Sequence, residues 1–466
     1  MHFRSIELLT LQDKRNNMTK KSVKGFSKLS KEAKIEWIAN EYLDGDEECV
    51  GLLKSYWHND AKVQKIHDEF IENTISNFYV PFGIAPNFLI NDEIFCVPMA
   101  IEESSVVAAA AKNAIFWMNR GGFKAEVIST TKVGHVHFAW YGEYETLVSF
   151  FESIKHKFIE QTNDLTENMR KRGGGILDIQ LVNKTDDEPN YYQLMAKFET
   201  CEAMGANFIN SILEEFSKIL QGELENSDLS EADKKVMVIM CILSNYTPEC
   251  LVRAEVSCPI ESLTEGTDLS PEEFAKKFEQ AIHVAKIEPY RATTHNKGIF
   301  NGIDAVVIAT GNDFRAIEAC GHTYASKDGS YSSLTHVDIT DGNFRFWIEV
   351  PMALGTIGGL TALHPMVKFA HQLLGKPNAA QLMKIIACVG LAQNFGAVRS
   401  LVTTGIQKGH MKMHLLNIIN QLGGTAEERK VIKDHFADKV VSHKAVVDYF
   451  CALRGITQEE LQNQNK

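Results

Sequence analysis

None of the nine cysteines in this chain is spaced CxxC; Cys49, Cys96, Cys201, Cys241, Cys250, Cys258, Cys320, Cys388 and Cys451 lie scattered and odd in number. That argues against a disulfide framework and a metal cluster, and points to reduced thiols in a cytoplasmic setting with no metal. Excess positive charge is missing too: 48 Lys and Arg face 60 Asp and Glu, so 48 − 60 = −12. Nucleic acids and anionic membranes are both bound through a basic field, so neither partner is expected. No uninterrupted apolar run reaches the roughly 18 residues of a membrane span. The stretch 351–366 is broken by Gly355, Gly358, Gly359 and His364. The N-terminus lacks an apolar segment before a small-residue cleavage site, which speaks against a secretory signal; Met18 is an alternative start. Also absent are GxGxxG, GxxxxGKS/T, HExxH and GxSxG. A Rossmann dehydrogenase, a P-loop NTPase, a zincin and an α/β-hydrolase lose support accordingly.

What is present is a globular composition, 44 % hydrophobic and 23 % charged, over 466 residues. At about 150 residues per domain that length suggests about three structural units. Residues 1 to about 30 form a polar, basic leader. A helix is predicted from Ser30, with Ile35, Trp37, Ile38 and Tyr42 on one face. A second is predicted from an N-cap near Ser104 through VVAAAAKNAIFWM to Gly121-Gly122, which sets Glu102 and Glu103 at a helix N-terminus. Between about 125 and 243 the texture changes. Strands are expected at 134–141, 175–182, 191–198 and, as a buried one, 236–243, with helices at 143–159 and 203–220; this reads as an α+β unit of split βαβ type. Further strands are expected at 304–310 and 344–352, then helices with charged faces after Gly405.

Several segments hold polar residues in apolar surroundings. RATTHNKGIFNGID (291–304) groups Arg291, Thr294, His295, Lys297 and Asn301 before the expected strand 304–310, and Asp313 follows at the carboxyl end where ligands bind in mixed sheets. The same residues also suit a solvated loop. His410 and His414 stand four apart after Gly405 and Gly409, without a third ligand to make a metal site; a titrating acid or an exposed helix histidine suits them better. GHVH (134–137) puts two histidines on one strand face at the surface, and RGGF (120–123) and RGGG (172–175) are tight turns.

Eight blocks taken in order, ENTISNFYVPFGIAPNFLIN (72–91), PMAIEESSVVAAAAK (98–112), EAMGAN (202–207), ILSN (242–245), RATTHNKGIFNGID (291–304), ATGNDFRA (309–316), GLAQN (390–394) and GIQKGHMKMH (405–414), make the chain resemble hydroxymethylglutaryl-CoA reductase. The likeness is to its soluble bacterial-type form, class II, from about Gly25 to about residue 455. The resemblance implies an α+β fold: a large mixed helix/sheet substrate domain (25–125 and 248–403), an inserted ferredoxin-like, non-Rossmann NAD(P)-binding domain (126–247), and a C-terminal helical flap (404–466), behind a leader at 1–24. It implies an obligate dimer with residues of both subunits at each site, with a hexamer as a further assembly. It implies reduction of 3-hydroxy-3-methylglutaryl-CoA to mevalonate and CoA with two NAD(P)H, or the reverse, with no metal. A catalytically silent CoA- or nucleotide-binding protein on the same fold is the alternative, against which the intact catalytic set counts.

Residue by residue, the resemblance matches Glu103, Lys297, Asp313 and His410 to the catalytic Glu, Lys, Asp and His. Lys297 would steady the developing oxyanion, Asp313 would orient it through a network with Glu103, and His410 would protonate the departing CoA thiolate. Arg291 matches the ligand of the substrate's terminal carboxylate, with Ser105, Thr294 and Asn301 at hydrogen-bonding positions; Gln393 and His414 match contacts to the CoA nucleotide. One family Arg falls on Ser27 here, beside Lys28. Glu202, Met204, Gly205, Asn207 and Asn245 match cofactor positions, with Glu202 where the family usually has Asp. Ser104 stands where many relatives have Pro. An ungapped reading from Gly173 puts Thr166, flanked by Asp164 and Glu167, where NADH users carry an acid, which favours NADPH over NADH.

Overall fold

A computed structural model describes residues 22–403, 405, 415–437, 439 and 441–464. His410 and His414 lie outside the described residues. The chain divides into two compact units, Met1–Val80 and Pro81–Lys466.

In the first unit each helix starts on a residue suited to cap it. Ser30 accepts from Ala33 N and opens α1 (Lys31–Tyr42), as expected; Asp46 opens α2 (Glu47–Ser55) and Asp60 opens α3 (Ala61–Asp68). Lys31 closes the unit on itself through a 2.7 Å ion pair to Asp68.

The second unit begins with an antiparallel hairpin, β1 (Phe82–Ile90) and β2 (Glu93–Ala100), against which α4 (Val106–Met118) packs. The expected cap at Ser104 is displaced by one residue and is of another kind. Ser105 holds the N-cap position with φ 77°, and its hydroxyl caps nothing. The chain then forms β3 (Lys124–Val127) and enters a βααββαβ run: β4 (Lys132–Trp140), α5 (Tyr144–Gln161), α6 (Asn163–Arg170), β5 (Gly175–Asn183), β6 (Tyr191–Glu199), α7 (Ala206–Glu225) and β7 (Val236–Leu243). Its four strands pair antiparallel in the order β5-β6-β4-β7. Alternation decides their faces: Val136, Phe138, Trp140, Leu194, Ala196 and Phe198 meet Phe158, Leu213 and Phe216 of the helices in one core. The other face carries His135 and His137, with rings 5.4 Å apart. Burial, and then the neighbouring His137, lowers His135 to about 4, so the expected surface pair is a half-buried one. Strand β7 is likewise not the buried strand expected; it lies at the sheet edge, and Met237, Ile239, Met240 and Ile242 are exposed.

A second antiparallel sheet, β3-β8-β10-β9, is built from β8 (Leu251–Pro259), β9 (Thr335–Thr340) and β10 (Asn343–Pro351). Helices α8 (Pro271–Ile287), α9 (Pro289–Ala309), α10 (Phe314–Tyr324), α11 (Pro365–Leu373) and α12 (Ala379–Val402) complete this part around a large core that includes Trp117, Phe278, Phe300, Phe344 and Phe395. Two expectations are corrected here. Residues 304–310 are not a strand: they are the last turns of α9 and its C-cap, Thr310, with Val306 and Val307 buried. A short β-branched apolar run fits a buried helix as well as a strand, and packing against α12 decides it. Second, α12 is long and apolar enough to cross a membrane, a property an uninterrupted-run count passes over because Lys384 and Gln393 punctuate it. Two thirds of its most apolar window (67 %) is buried inside the protein, so its apolar surface is spent on neighbouring elements. A third cluster, including Leu415, Ile418, Ile432, Val446 and Phe450, gathers the C-terminal helices.

Candidate functional site

Helix α9 positions most of the polar residues. Glu288 caps it by accepting from Tyr290 N and Arg291 N, and Pro289 occupies the first turn, where its missing N–H costs nothing. Ile299, Phe300, Ile303 and Val306 face the core, which leaves Thr294, Lys297 and Asn301 on an outward stripe at helical spacing. Facing them is the β2–α4 turn with Glu103. Lys297 Nζ donates to Glu103 Oε2 at 2.8 Å, and Asn301 Nδ2 donates to the same oxygen at 3.3 Å. The pair is wet, Lys297 being 61 % and Glu103 39 % exposed, so it adds little to stability. Next to it Ser105 is held left-handed, a conformation that costs a non-glycine residue about 1–3 kcal/mol and persists only where the surroundings impose it. Its hydroxyl has no partner among the described residues and is free for a ligand.

Arg291 is half buried on α9 and meets no carboxylate among the described residues; burial pushes its guanidinium down from the usual value. An unpaired, partly desolvated guanidinium is a receptor for a carboxylate. Thr294 returns its hydroxyl to Tyr290 O at 3.2 Å. Behind the stripe, His295 Nε2 lies 2.6 Å from Thr335 Oγ1, which donates to Asn394 Oδ1; Asn394 Nδ2 in turn reaches His295 O at 3.3 Å. Burial, with Arg291 nearby, lowers His295 to about 3, so it is neutral and works as a strut joining α9, β9 and α12. Gln393 lies in the α9–α12 seam, where a Cβ on Gly302 would come within 3.0 Å of its own; it is buried, with Oε1 unpartnered.

Asp313 does not join Lys297. It caps α10 through Arg315 N (3.0 Å) and Ala316 N (3.3 Å) and forks onto the Arg315 guanidinium at 3.0 Å. Burial pushes its carboxyl up, but the hydrogen bonds from Arg315 and Ala316 outweigh that and hold it below the usual range. Twelve residues of helix, about 18 Å, separate Lys297 from Ala309 at the end of α9. Asp313 thus stands at the cap of a different helix, not at the carboxyl end of a strand.

A second polar locus lies where the βααββαβ run meets the rest of its unit. Met204, Asn245, Ser244, Lys132 and Ile209 line a narrow crevice there with Ala316, Ile317 and Ala353. Gly205 opens α7 with φ 97°, and a Cβ on it would come within 2.6 Å of Thr200. Asn207 is exposed in the first turn. Glu202 Oε2 accepts from Thr356 Oγ1 (2.6 Å) and Ala379 N (2.7 Å), clamping the turn onto the start of α12. Thr166 is buried, its hydroxyl donating to Thr162 O at 3.0 Å, and it sets no negative charge beside the glycine turn. Neither the Glu202 clamp nor the His295 strut was expected. A buried-pattern signal did exist for Lys132, which shares its strand face with Gly134, Val136 and Phe138.

With this geometry in view, a family model described as hydroxymethylglutaryl-coenzyme A reductase matches residues 32–415. The chain belongs to that family. The 3-hydroxy-3-methylglutaryl-coenzyme A reductase of Archaeoglobus fulgidus is 35 % identical over 411 residues, 87 % of this chain and 88 % of that one. A probable reductase of Borreliella burgdorferi is 31 % identical over 462 residues, 96 % and 100 % of the two chains. Among solved structures, a reductase of this family from Streptococcus pneumoniae superposes with TM-score 0.69 at 34 % identity, covering 93 % of this chain and all of that one. A class II reductase from the same organism, bound to NADPH in open conformations, gives TM-score 0.67 at 34 % identity over 88 % and 99 %. The family assignment makes this chain an oxidoreductase.

Proposed function

We propose that the chain reduces (S)-3-hydroxy-3-methylglutaryl-CoA to mevalonate and CoA, a step of isoprenoid formation, at the Glu103–Lys297–Asn301 cluster, the observation that carries this reading. The nicotinamide cofactor, once bound, supplies the hydride in each of the two reductions. As the thioester carbonyl becomes tetrahedral, its oxygen gains negative charge, and the Lys297 ammonium stabilises it. Glu103 keeps that ammonium aimed and feeds a proton toward the aldehyde oxygen in the second reduction. Arg291 takes the substrate's terminal carboxylate, with Ser105, Thr294 and Asn301 adding hydrogen bonds. His410 protonates the leaving CoA thiolate, a task for which an imidazole is the side chain best suited near neutral pH. His414 and Gln393 serve the CoA nucleotide.

Asp313 completes the site of a second copy of the chain, which is what makes the enzyme an obligate dimer. The geometry supports this, because within one chain Lys297 pairs with Glu103 and Asp313 with Arg315, with about 18 Å of helix from Lys297 to the end of α9. The crevice suits a dinucleotide: the left-handed Gly205 frees the α7 amides, Met204 and Asn245 line it, and Glu202 and Asn207 flank Gly205 in the chain. Its carrier is a ferredoxin-like domain at 126–247, supported by the β5-β6-β4-β7 order, between substrate-domain segments at 25–125 and 248–403, with a flap at 404–466. NADPH is the preferred cofactor, supported by exposed Arg170 and Arg172 beside the glycine turn, where a 2′-phosphate would find cations. The enzyme works in the cytoplasm. The test is Lys297→Ala in the full chain. Removing one such donor costs about 10²–10³-fold in kcat with CoA binding retained, and a variant keeping a tenth of the activity would overturn the assignment.

A further inference from the structure

Lys132 is the one buried feature of the crevice that the proposed chemistry leaves unexplained. It is 3 % exposed at the start of β4, on the strand face turned to α7, and its side chain lines the crevice with Met204, Ile209 and Asn245. No hydrogen-bond acceptor or carboxylate pairs with it among the described residues. The neighbouring carboxylate, Glu199, is already spent on Thr130 Oγ1 and Cys201 N. Its stem is buried while its ammonium has no partner among the described residues, and an anionic ligand in the crevice would supply one. The other group at the crevice wants the same ligand: α7 opens on Gly205, with no side-chain cap and no acidic residue in its first turn, so its leading amides are unsatisfied.

We propose that Lys132 and the amino end of α7 together hold the pyrophosphate of the dinucleotide cofactor. This rests on the reading of the crevice as the cofactor site. Lys132 is then a binding residue shared by NADPH and NADH, since both carry the pyrophosphate and only NADPH the 2′-phosphate. The test titrates each cofactor onto the full chain and onto Lys132→Met, with Lys132→Gln as the second variant should the first not fold. The expected result is a loss of affinity for both cofactors by about ten- to a hundredfold, equal within a factor of three, with kcat within twofold of the parent and HMG-CoA affinity unchanged. Unchanged affinities, a loss confined to NADPH, or a fall in kcat without a change in affinity would each overturn it. Failure of the underlying reading looks different: the unmodified chain would bind neither cofactor, or Gly205→Val, whose Cβ runs into Thr200, would leave binding intact.

Discussion

If Asp313 of one chain serves Lys297 of another, two inactive variants should rescue each other. Lys297→Ala and Asp313→Ala are each expected to be nearly inactive, because each removes a charged group from every site of a homodimer. In a mixed dimer the arithmetic differs. One site combines both lesions, whereas the other takes Lys297 from the Asp313→Ala chain and Asp313 from the Lys297→Ala chain and is intact. Random reassociation of equal amounts makes half of the dimers mixed, each with one working site of two, so about a quarter of the parent activity should return. The structural basis is α9 itself: about 18 Å of helix lies between Lys297 and Ala309, against the roughly 3 Å a charge-assisted hydrogen bond needs. The assay is cofactor oxidation after the two variants are unfolded together and refolded, with each refolded alone as control. Activity no higher than the controls, with mixed dimers shown to be present by native mass spectrometry, would refute the shared site.

Three further outcomes follow from the same geometry. Arg291→Met should raise KM for the CoA substrate about ten- to a hundredfold with a smaller effect on kcat, read from initial rates; an unchanged KM would exclude Arg291 from the substrate carboxylate. His410→Gln should impair reduction of the thioester far more than reduction of mevaldehyde, and equal losses would remove the thiolate-protonation role. His295 is held near 3 in the folded chain against about 6.5 unfolded, so the unfolded state binds the extra proton and stability falls as pH drops below 6.5 toward 3. Between pH 7 and 5 that amounts to about 2 kcal/mol, and His295→Gln should shrink the pH dependence of the urea midpoint by that much; an undiminished dependence would place the proton elsewhere.

Much of the fold is written locally. Ser30 caps α1 as its type predicts, and β5 and β6 fall within a residue of the stretches 175–182 and 191–198, because alternation against one core marks a half-buried strand. The run DAVVIAT misleads because its neighbours settle its state: packed on α12 it is helix, and no period within seven residues says so. The acidic net charge gave no sign of the site, since Arg291, Lys297 and Lys132 are single placed cations in an acidic chain. The pairing of Glu103 with Lys297, 194 residues apart, was legible only through the family resemblance. That Glu202 spends an oxygen on Thr356 and Ala379, 154 and 177 residues away, is beyond any local pattern.

The most direct test of the account is the stoichiometry of the reaction. The full chain, supplied with 3-hydroxy-3-methylglutaryl-CoA and excess NADPH, is followed by cofactor absorbance and thiol release together. Two cofactor molecules should be oxidised for each CoA freed, with mevalonate as the product. Oxidation of one cofactor per CoA, or release of CoA without oxidation, would contradict it.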